Sequence, residues 1–412
     1  MTPTVISLLF SAGIALLPFG AMYWPEALGT LAASPGLLLI LAAVLLAPFV
    51  RQRERPIFQQ LKLKRLLWMP VLGSVVSLGV FGWNPLFAGK FFSVGLLSLI
   101  WLSPLLLVDY LRIRHLRMAA LVGVSICATS YLLSDLLHAI PGVLRNLVFS
   151  AAYVDLQEVR PRGFTEEPSQ FSATFSRLII IYYLIWESTR RYSSERLIVF
   201  LCGLSVLLVA LGSKGAVTGI ALALLSFTVG RRQLPYLVLA LPIAWWLVNT
   251  QLAAISVDVE QFSSTSTRMT LLLTSLVSTA ANPLGWGYYG FYGAMQSFGG
   301  WSLDWIGDRF PVLLFEVRDI IEELNNVSTK STTLDFMMML GWLFIWLMVR
   351  IVQLTRFDDP RVRASWVYIL MSSLTTGGHL SITVFLAFAV MLRLYPARDR
   401  VAVPVVVRAA TA

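Results

Sequence analysis

Charged side chains are scarce in this 412-residue sequence. Asp, Glu, Lys and Arg make up 13% of it, and hydrophobic residues make up 57%. Soluble domains carry about 25% charged residues, so this composition excludes an ordinary soluble enzyme and a disordered protein. The sequence instead indicates a protein whose solvent is lipid.

Cysteine and metal-binding patterns are also scarce. Cys127 and Cys202 lie in apolar runs, which excludes a disulfide framework and indicates core packing. No HExxH, CxxC or carboxylate cluster predicts a metal site, and no GxxxxGK[ST] motif predicts a nucleotide site. We therefore expect no metal, no cofactor and no ATP-driven transport by this chain alone.

Long apolar runs are abundant, and a membrane-spanning helix needs about 20 such residues. Lipid offers no partners to backbone N–H and C=O groups, so these runs must be helical. The first fifty residues hold no Lys or Arg, and we expect no cleavable signal peptide. We predict an all-α polytopic membrane protein with about twelve transmembrane helices, at roughly 5–23, 30–50, 66–83, 91–110, 119–140, 173–188, 197–212, 215–230, 234–250, 334–353, 364–378 and 380–395.

Basic residues are unevenly distributed between the predicted loops. With both termini in the cytoplasm, 22 of the 32 Lys and Arg residues lie on the inner side. The positive-inside rule thus accounts for the net charge of +10, and we expect no nucleic-acid partner. The predicted divisions are 1–250, with nine spans and a short outer segment near 141–172; 251–333, a large outer loop; and 334–412, with three spans and a cytoplasmic tail.

The large outer loop contains two helical patterns around a glycine-rich segment. A helix is predicted from Met269 to Val277, ended by Asn282-Pro283, and 309–324 predicts an amphipathic helix at the membrane boundary or over a cavity. Glycines and aromatics alternate from Gly285 to Gly300, which is typical of flexible backbone. The aromatic side chains either bind sugars or anchor the loop at the lipid interface; the sugar-binding candidates are Trp286, Tyr288, Tyr289 and Tyr292.

Charged residues near the outer span ends are the main functional candidates, because ionisable groups are costly at a membrane. Cations converging there suit a polyanionic head group, since Arg offers a bidentate fork and Lys a point charge. The alternative is that they simply reach water. A base would be Asp135, Asp335 or His379, although His379 is equally explained as a turn residue. The candidate cations are Arg268, Lys214 and Arg177, with Arg145, Lys330 and Asp335 as substrate-binding candidates.

Three short motifs, together with this architecture, resemble the O-antigen polymerase and O-antigen ligase superfamily of Wzy-type membrane glycosyltransferases. Ser213-Lys214-Gly215-Ala216 is similar to a turn that precedes the family's large loop. Arg268 precedes an apolar helix that ends in Pro283-Leu284-Gly285-Trp286-Gly287. Asp335-Phe336 then leads to Gly341 in the returning span.

The resemblance implies a GT-C-like fold in the bacterial inner membrane, with a periplasmic active site. It implies undecaprenyl-diphosphate-linked oligosaccharides as substrates, the cations as diphosphate contacts, and a chain-length regulator and a flippase as partners. Ligases of the family carry a His-Asn pair where this sequence has Lys330-Ser331-Thr332, which favours a polymerase, although Lys330 could replace the histidine's charge. The alternatives are a ligase that transfers polysaccharide to lipid A core, and a lipid-linked glycan flippase. A flippase would need polar residues along a path through both leaflets.

Overall fold

The chain is described by a computed structural model. It describes residues 2–20, 33–50, 55–133, 163–165, 168–211, 214–227, 263–310, 314–323, 329–377 and 381–397. These residues form sixteen α-helices and a 3-10 turn at Ala47–Phe49, and the β-structure within the same ranges is limited to an isolated bridge between Thr355 and Pro396. The predicted all-α class is confirmed for this part of the chain.

The helices of the N-terminal half are α1 (Pro3–Leu16), α2 (Pro35–Leu46), α3 (Pro56–Gln60), α4 (Leu63–Phe81), α5 (Pro85–Leu106), α6 (Ile113–Leu132), α7 (Pro168–Glu187), α8 (Ser194–Ala210) and α9 (Lys214–Phe227). Those of the C-terminal half are α10 (Ser263–Ala281), α11 (Gly287–Gly307), α12 (Phe315–Glu323), α13 (Thr332–Leu340), α14 (Trp342–Leu354), α15 (Pro360–Thr375) and α16 (Ser381–Leu394).

Several helices begin with the same local signal, a polar cap followed by proline. Ser34, Asn84 and Asp359 precede α2, α5 and α15, and each side chain accepts the backbone N–H two residues further on, at 3.2, 2.9 and 2.9 Å. Proline costs nothing at the first helical position, because its missing N–H would have no partner there. These starts follow from the local sequence alone.

Three described helices, α4, α5 and α6, are long and apolar enough to cross a membrane, and α13 with α14 would make a fourth. The shorter helices α1 and α16 are apolar too. Eleven of the twelve predicted spans overlap described helices, and the predicted span 234–250 lies outside the described residues. Three to four apolar helices are therefore compatible with a membrane protein. The count of twelve, the orientation, the domain limits and the GT-C-like fold stay predictions.

The predicted span 334–353 is not one continuous helix. α13 and α14 meet at Gly341 and are bent by 120°. Gly341 has a φ of +57°, and a Cβ there would lie 2.0 Å from the carbonyl oxygen of Pro283. The apolar run alone predicted one straight helix. The break could not be seen locally, because its cause is a turn that lies far away in the sequence.

That turn, residues 283–287, connects α10 to α11 and packs into the break. The backbone N–H of Trp286 donates to the carbonyl oxygen of Met338 at 2.9 Å. The N–H of Trp342 donates to the carbonyl oxygen of Pro283 at 2.8 Å. The structure thus joins two motifs of the resemblance through backbone hydrogen bonds.

The glycine-rich segment is predicted to be flexible, and this prediction is wrong. It forms α11, which packs closely on α4. A Cβ at Gly290 would lie 2.1 Å from Oγ of Ser77, and one at Gly293 would lie 2.7 Å from the ring of Phe81. The glycines therefore permit close approach of two helices.

The helix predicted from Met269, ended by Asn282-Pro283, is confirmed as α10. The amphipathic helix predicted for 309–324 is confirmed over the shorter range of α12. Val317 is 0% and Ile321 is 2% exposed, and α12 packs against α10 and α11. The outer-loop segment that the structure describes is thus largely helical, and α11 lies directly against the candidate spans α4 and α5.

Candidate functional site

Arg177 lies in the middle of α7 and is completely buried. Its Nε donates to Oγ of Ser372 at 3.0 Å, and Nη2 donates to the carbonyl oxygen of Ser372 at 2.8 Å and to Oγ1 of Thr376. Its Nη1 donates to Oγ1 of Thr383 at 3.3 Å. One guanidinium group therefore connects α7 with α15 and α16.

The structure corrects the predicted position of Arg177. The sequence placed it in the first turn of a span, where it would contact a diphosphate or reach water. α7 begins at Pro168, so Arg177 is more than two turns into the helix and 0% exposed. In this geometry it holds helices together, and contact with a substrate stays an untested prediction.

Arg177→Lys is expected to lower the free energy of unfolding by about 2–4 kcal/mol. The ammonium group is a single point and cannot span Ser372 and Thr383, and a hydrogen bond to a charged group contributes about 1.5–3 kcal/mol. Thermal unfolding of the purified protein in detergent measures the loss. Arg191→Lys, at an exposed arginine, is the control. Equal stability of the two variants would contradict the proposed clamp.

Three consecutive hydroxyl side chains attach the start of α13 to the end of α15. Oγ of Ser331 donates to the carbonyl oxygen of Ser373 at 3.0 Å, and Oγ1 of Thr332 donates to the carbonyl oxygen of Thr376 at 3.0 Å. The hydroxyl groups of Thr333 and Ser373 are 2.6 Å apart. Thr376 thus contacts both Arg177 and Thr332, and it links the buried guanidinium to α13.

Lys330 precedes this row and forms an ion pair with Glu316 of α12. Glu316 also accepts a hydrogen bond from Oγ1 of Thr267, in α10, at 3.1 Å. The side chains of Lys330 and Glu316 are 32% and 29% exposed, and partly exposed pairs contribute only about 0–1 kcal/mol. The pair therefore adds little to the free energy of unfolding. Its main effect is to orient α10, α12 and the segment before α13 relative to one another.

Arg268 follows Thr267 in α10 and is half-buried. Its Nε is buried and makes no hydrogen bond to any described residue. An Arg donor without a protein acceptor is suited to an anionic ligand, because guanidinium matches phosphate oxygens. The predicted contact of Arg268 with a diphosphate is compatible with this geometry and stays a prediction.

Asp335 lies in the first turn of α13 and is 2% exposed. It accepts the backbone N–H of Thr329 at 2.7 Å. This hydrogen bond holds the backbone of Thr329 against the first turn of α13. The geometry supports a role in shaping the loop before α13, and its role toward a substrate stays a prediction.

The four predicted sugar-binding aromatics pack inside the protein. Hydroxyl Oη of Tyr289 donates to the carbonyl oxygen of Gly82 at 2.6 Å and accepts the N–H of Asn84 at 2.8 Å, which fixes the α4–α5 connection to α11. Faces packed in this way do not present a surface to a sugar, so sugar binding stays an untested prediction. The side chains, between 5% and 7% exposed, are Trp286, Tyr288, Tyr289 and Tyr292.

Lys214 is the first residue of α9, which packs along α15. Gly219 lies against Tyr368, and Nε of Arg363 donates to the carbonyl oxygen of Ser226 at 2.9 Å. These contacts make the two helices antiparallel. The backbone of Lys214 therefore lies level with the end of α15, where Thr376 follows.

Three predicted residues, Asp135, Arg145 and His379, lie outside the described residues, and their roles stay predictions. Among the residues that the structure describes, no group of three His, Cys, Asp or Glu side chains could hold a metal ion.

The structure therefore collects several predicted residues in one place. Contacts run from Arg177 through Thr376 to Thr332, and from neighbouring Lys330 through Glu316 to Thr267 and Arg268. Within this group, Arg268 has a buried donor without a described acceptor, and a guanidinium group can hold phosphate oxygens and stabilise a leaving anion. We call this group the polar cluster: Arg177, Thr267, Arg268, Glu316, Lys330, Thr332 and Thr376.

Sequence reasoning missed Glu316 and the hydroxyl residues of the cluster. Glu316 is one of several acidic residues in the predicted amphipathic helix 309–324, and nothing local distinguishes it from the others. The hydroxyl residues had a usable signal, because residues 329–333 (TKSTT) hold four hydroxyl groups next to an apolar run. Hydroxyl groups beside membrane segments commonly bond between helices.

Comparison with known proteins identifies a relative of uncharacterised function. The chain is 24% identical over 305 residues to an uncharacterized 49.5 kDa protein in the cps region of Klebsiella pneumoniae. The alignment covers 70% of this chain and 68% of that protein. No protein-family model matches this chain, and no solved structure matches it.

Proposed function

We propose that this protein is a metal-independent membrane glycosyltransferase that polymerises a bacterial surface polysaccharide, either O-antigen or exopolysaccharide. The polar cluster is the observation that carries the proposal, because it combines cations with hydroxyl groups beside candidate spans. The relative in a cps (capsular polysaccharide) region is consistent with a place in polysaccharide biosynthesis. The resemblance to Wzy-type enzymes supplies the finer reaction.

The substrates are oligosaccharide repeat units on undecaprenyl diphosphate at the periplasmic face of the inner membrane. A hydroxyl group of the acceptor repeat unit attacks the anomeric carbon of the donor chain. The new C–O bond forms as the bond from the anomeric carbon to the diphosphate oxygen breaks, and undecaprenyl diphosphate leaves with the electron pair. The acceptor proton passes to a base, for which Asp135, Asp335 and His379 are the candidates.

The polar cluster suits the leaving group. Diphosphate is already a good leaving group. The reaction therefore needs positioning of the two substrates and stabilisation of the leaving anion's charge more than it needs a metal. Arg268 contacts the diphosphate, with Lys214 and Lys330 as further cations, while Arg177 positions the helices. Lys330-Ser331-Thr332 stands where ligases have a His-Asn pair, which favours a polymerase. A chain-length regulator and a flippase are the proposed partners.

Deleting the gene in its host is expected to collapse the surface polysaccharide from a ladder to a single repeat unit. Without polymerase, each acceptor carries only one unit. Gel electrophoresis of the surface polysaccharide measures this, and the wild-type gene restores the ladder. If polymer instead accumulates on its lipid carrier and is missing from lipid A core, the protein is a ligase. An unchanged ladder would refute both activities and favour transport.

A further inference from the structure

An apolar cavity of about 430 Å³ lies between α4, α5 and α11, and no residue of the polar cluster lines it. Large apolar side chains are exposed around it, and Trp68 and Phe92 are 68% and 71% exposed. If α4 and α5 span the membrane, the cavity faces hydrocarbon. The lining includes Trp68, Val71, Phe92, Gly95, Leu99 and Tyr288.

A cation lies one helical turn from the tyrosine of this cavity. Nζ of Lys90, in the second turn of α5, is 4.9 Å from the ring centroid of Tyr292. Tyr292 follows Tyr288 by four residues, so both lie on one face of α11, about 5–6 Å apart. The ring of Phe91 contacts Tyr288 edge-on at 6.1 Å. Lys90 therefore lies about one helical turn from Tyr288, and the next residue of α5, Phe91, lines the cavity.

The cavity and the cation together restrict the ligand chemistry. A neutral hydrocarbon chain would fill the cavity without using Lys90, and a free phosphate would pair with Lys90 without using the cavity. A chain with a terminal phosphate uses both. Ionisable groups within spans are costly and commonly mark such binding sites.

The position of Lys90 relates the cavity to the proposed reaction site. Lys90 contacts Tyr292 of α11, and α11 also packs against α13, whose first turn holds Asp335. The absence of a side chain at Gly95 leaves space beside Tyr288, since a Cβ there would lie 3.5 Å from its ring.

We infer that this cavity holds isoprene units of an isoprenyl diphosphate and that Lys90 binds its phosphate group on the way to the polar cluster. This inference rests on the proposed function, from which it takes the substrate class. It adds a lipid-binding surface and a phosphate-binding residue, Lys90, and neither belongs to the sequence motifs.

Photo-crosslinking of the purified full-length protein in nanodiscs tests the inference. One probe is a geranylgeranyl diphosphate analogue with a diazirine in its chain, and the other is phosphatidylglycerol with the same diazirine. Mass spectrometry locates the labelled peptides. We expect the diphosphate probe to label α4 and α5 around Val71 and Phe92, and excess unlabelled geranylgeranyl diphosphate to displace it. Excess phosphatidylglycerol should not.

Two leucine variants on α5 form a matched pair. Gly95→Leu fills the cavity and is expected to reduce labelling at least tenfold. Gly89→Leu adds the same side chain where a Cβ would meet nothing within 4 Å, so its labelling should equal that of the wild type. Val71→Trp fills the cavity from α4 and replaces Gly95→Leu if that variant does not fold.

Lys90→Gln removes the charge without filling the cavity, so it tests the contribution of the charge alone. It is expected to lower labelling by the diphosphate probe about tenfold, the effect of losing about 1.4 kcal/mol, and to leave labelling by phosphatidylglycerol unchanged. Equal labelling by the two probes in the wild type, or unchanged labelling in both cavity-filling variants, would overturn the inference.

The photo-crosslinking result does not depend on enzymatic turnover, so it can be compared with the polysaccharide ladder as a separate measurement. An unchanged polysaccharide ladder with specific labelling would refute the polymerase and retain the isoprenyl site. A collapsed ladder without labelling would retain the polymerase and refute the site.

Discussion

Replacing Gly287 by alanine is expected to lower the free energy of unfolding by about 2–5 kcal/mol. Gly287 has a φ of +66°, which costs a residue with a Cβ roughly 1–2 kcal/mol. The new Cβ would also lie 2.1 Å from the carbonyl oxygen of Pro70 and 2.3 Å from the backbone nitrogen of Ser74. These are backbone atoms, so α4 and α11 must separate, and forced packing adds about 1–3 kcal/mol.

Gly82→Ala is the matched control for this prediction. Gly82 has the same φ of +66°, but a Cβ there would meet nothing within 4 Å. Its ψ of −175° places it in a region that essentially only glycine occupies, so we expect the replacement to cost only this conformational part, about 1–3 kcal/mol. Thermal unfolding in detergent, read by size-exclusion fluorescence, compares the two. If both variants lose the same stability, the close packing of Gly287 on α4 is not what holds the turn.

Arg268→Ala is expected to reduce repeat-unit coupling about 10²–10³-fold, the usual effect of removing one preorganised donor to a developing anion. Protein stability should change little, because no described residue bonds to its Nε. The assay incubates purified protein in nanodiscs with lipid-linked repeat units and measures formation of the two-unit product in a single turnover.

Two further variants distinguish loss of the Arg268 guanidinium group from a general loss of positive charge. Arg268→Lys keeps the charge but loses the planar fork, and it should recover only part of the rate. Arg309→Ala removes an exposed arginine and should retain full activity. Equal loss in Arg268→Ala and Arg309→Ala would show a general effect of surface charge and contradict the assigned contact.

The helices themselves were largely predictable. Apolar runs and caps act within a few residues, and α4, α5 and α6 begin and end within about ten residues of the predicted limits. Pro283 correctly predicted the end of α10. The same local reasoning failed for α11, because its glycines look flexible in isolation. Their role depends on Ser77 and Phe81, more than 200 residues earlier.

The sequence predicted which types of residue would form the candidate site. It did not predict how these residues are arranged in space. Arg268 and Lys330 were identified by charge beside apolar runs, and the structure relates them through Thr267 and Glu316. Full burial of Arg177 could not be predicted, since burial depends on where α15 and α16 pack. The sequence predicted no role for Lys90, because its position near a cavity depends on α11.

The amino-acid sequence thus determined the class of this protein, the places of most helices and the kind of charge near their ends. Each of these depends on interactions within a few residues or on transfer to lipid. The tertiary structure decided the break at Gly341, the burial of Arg177 and the packing of the aromatics of α11. The physical reason is that a distant backbone turn fills the break, and oxygen atoms from two other helices surround the arginine.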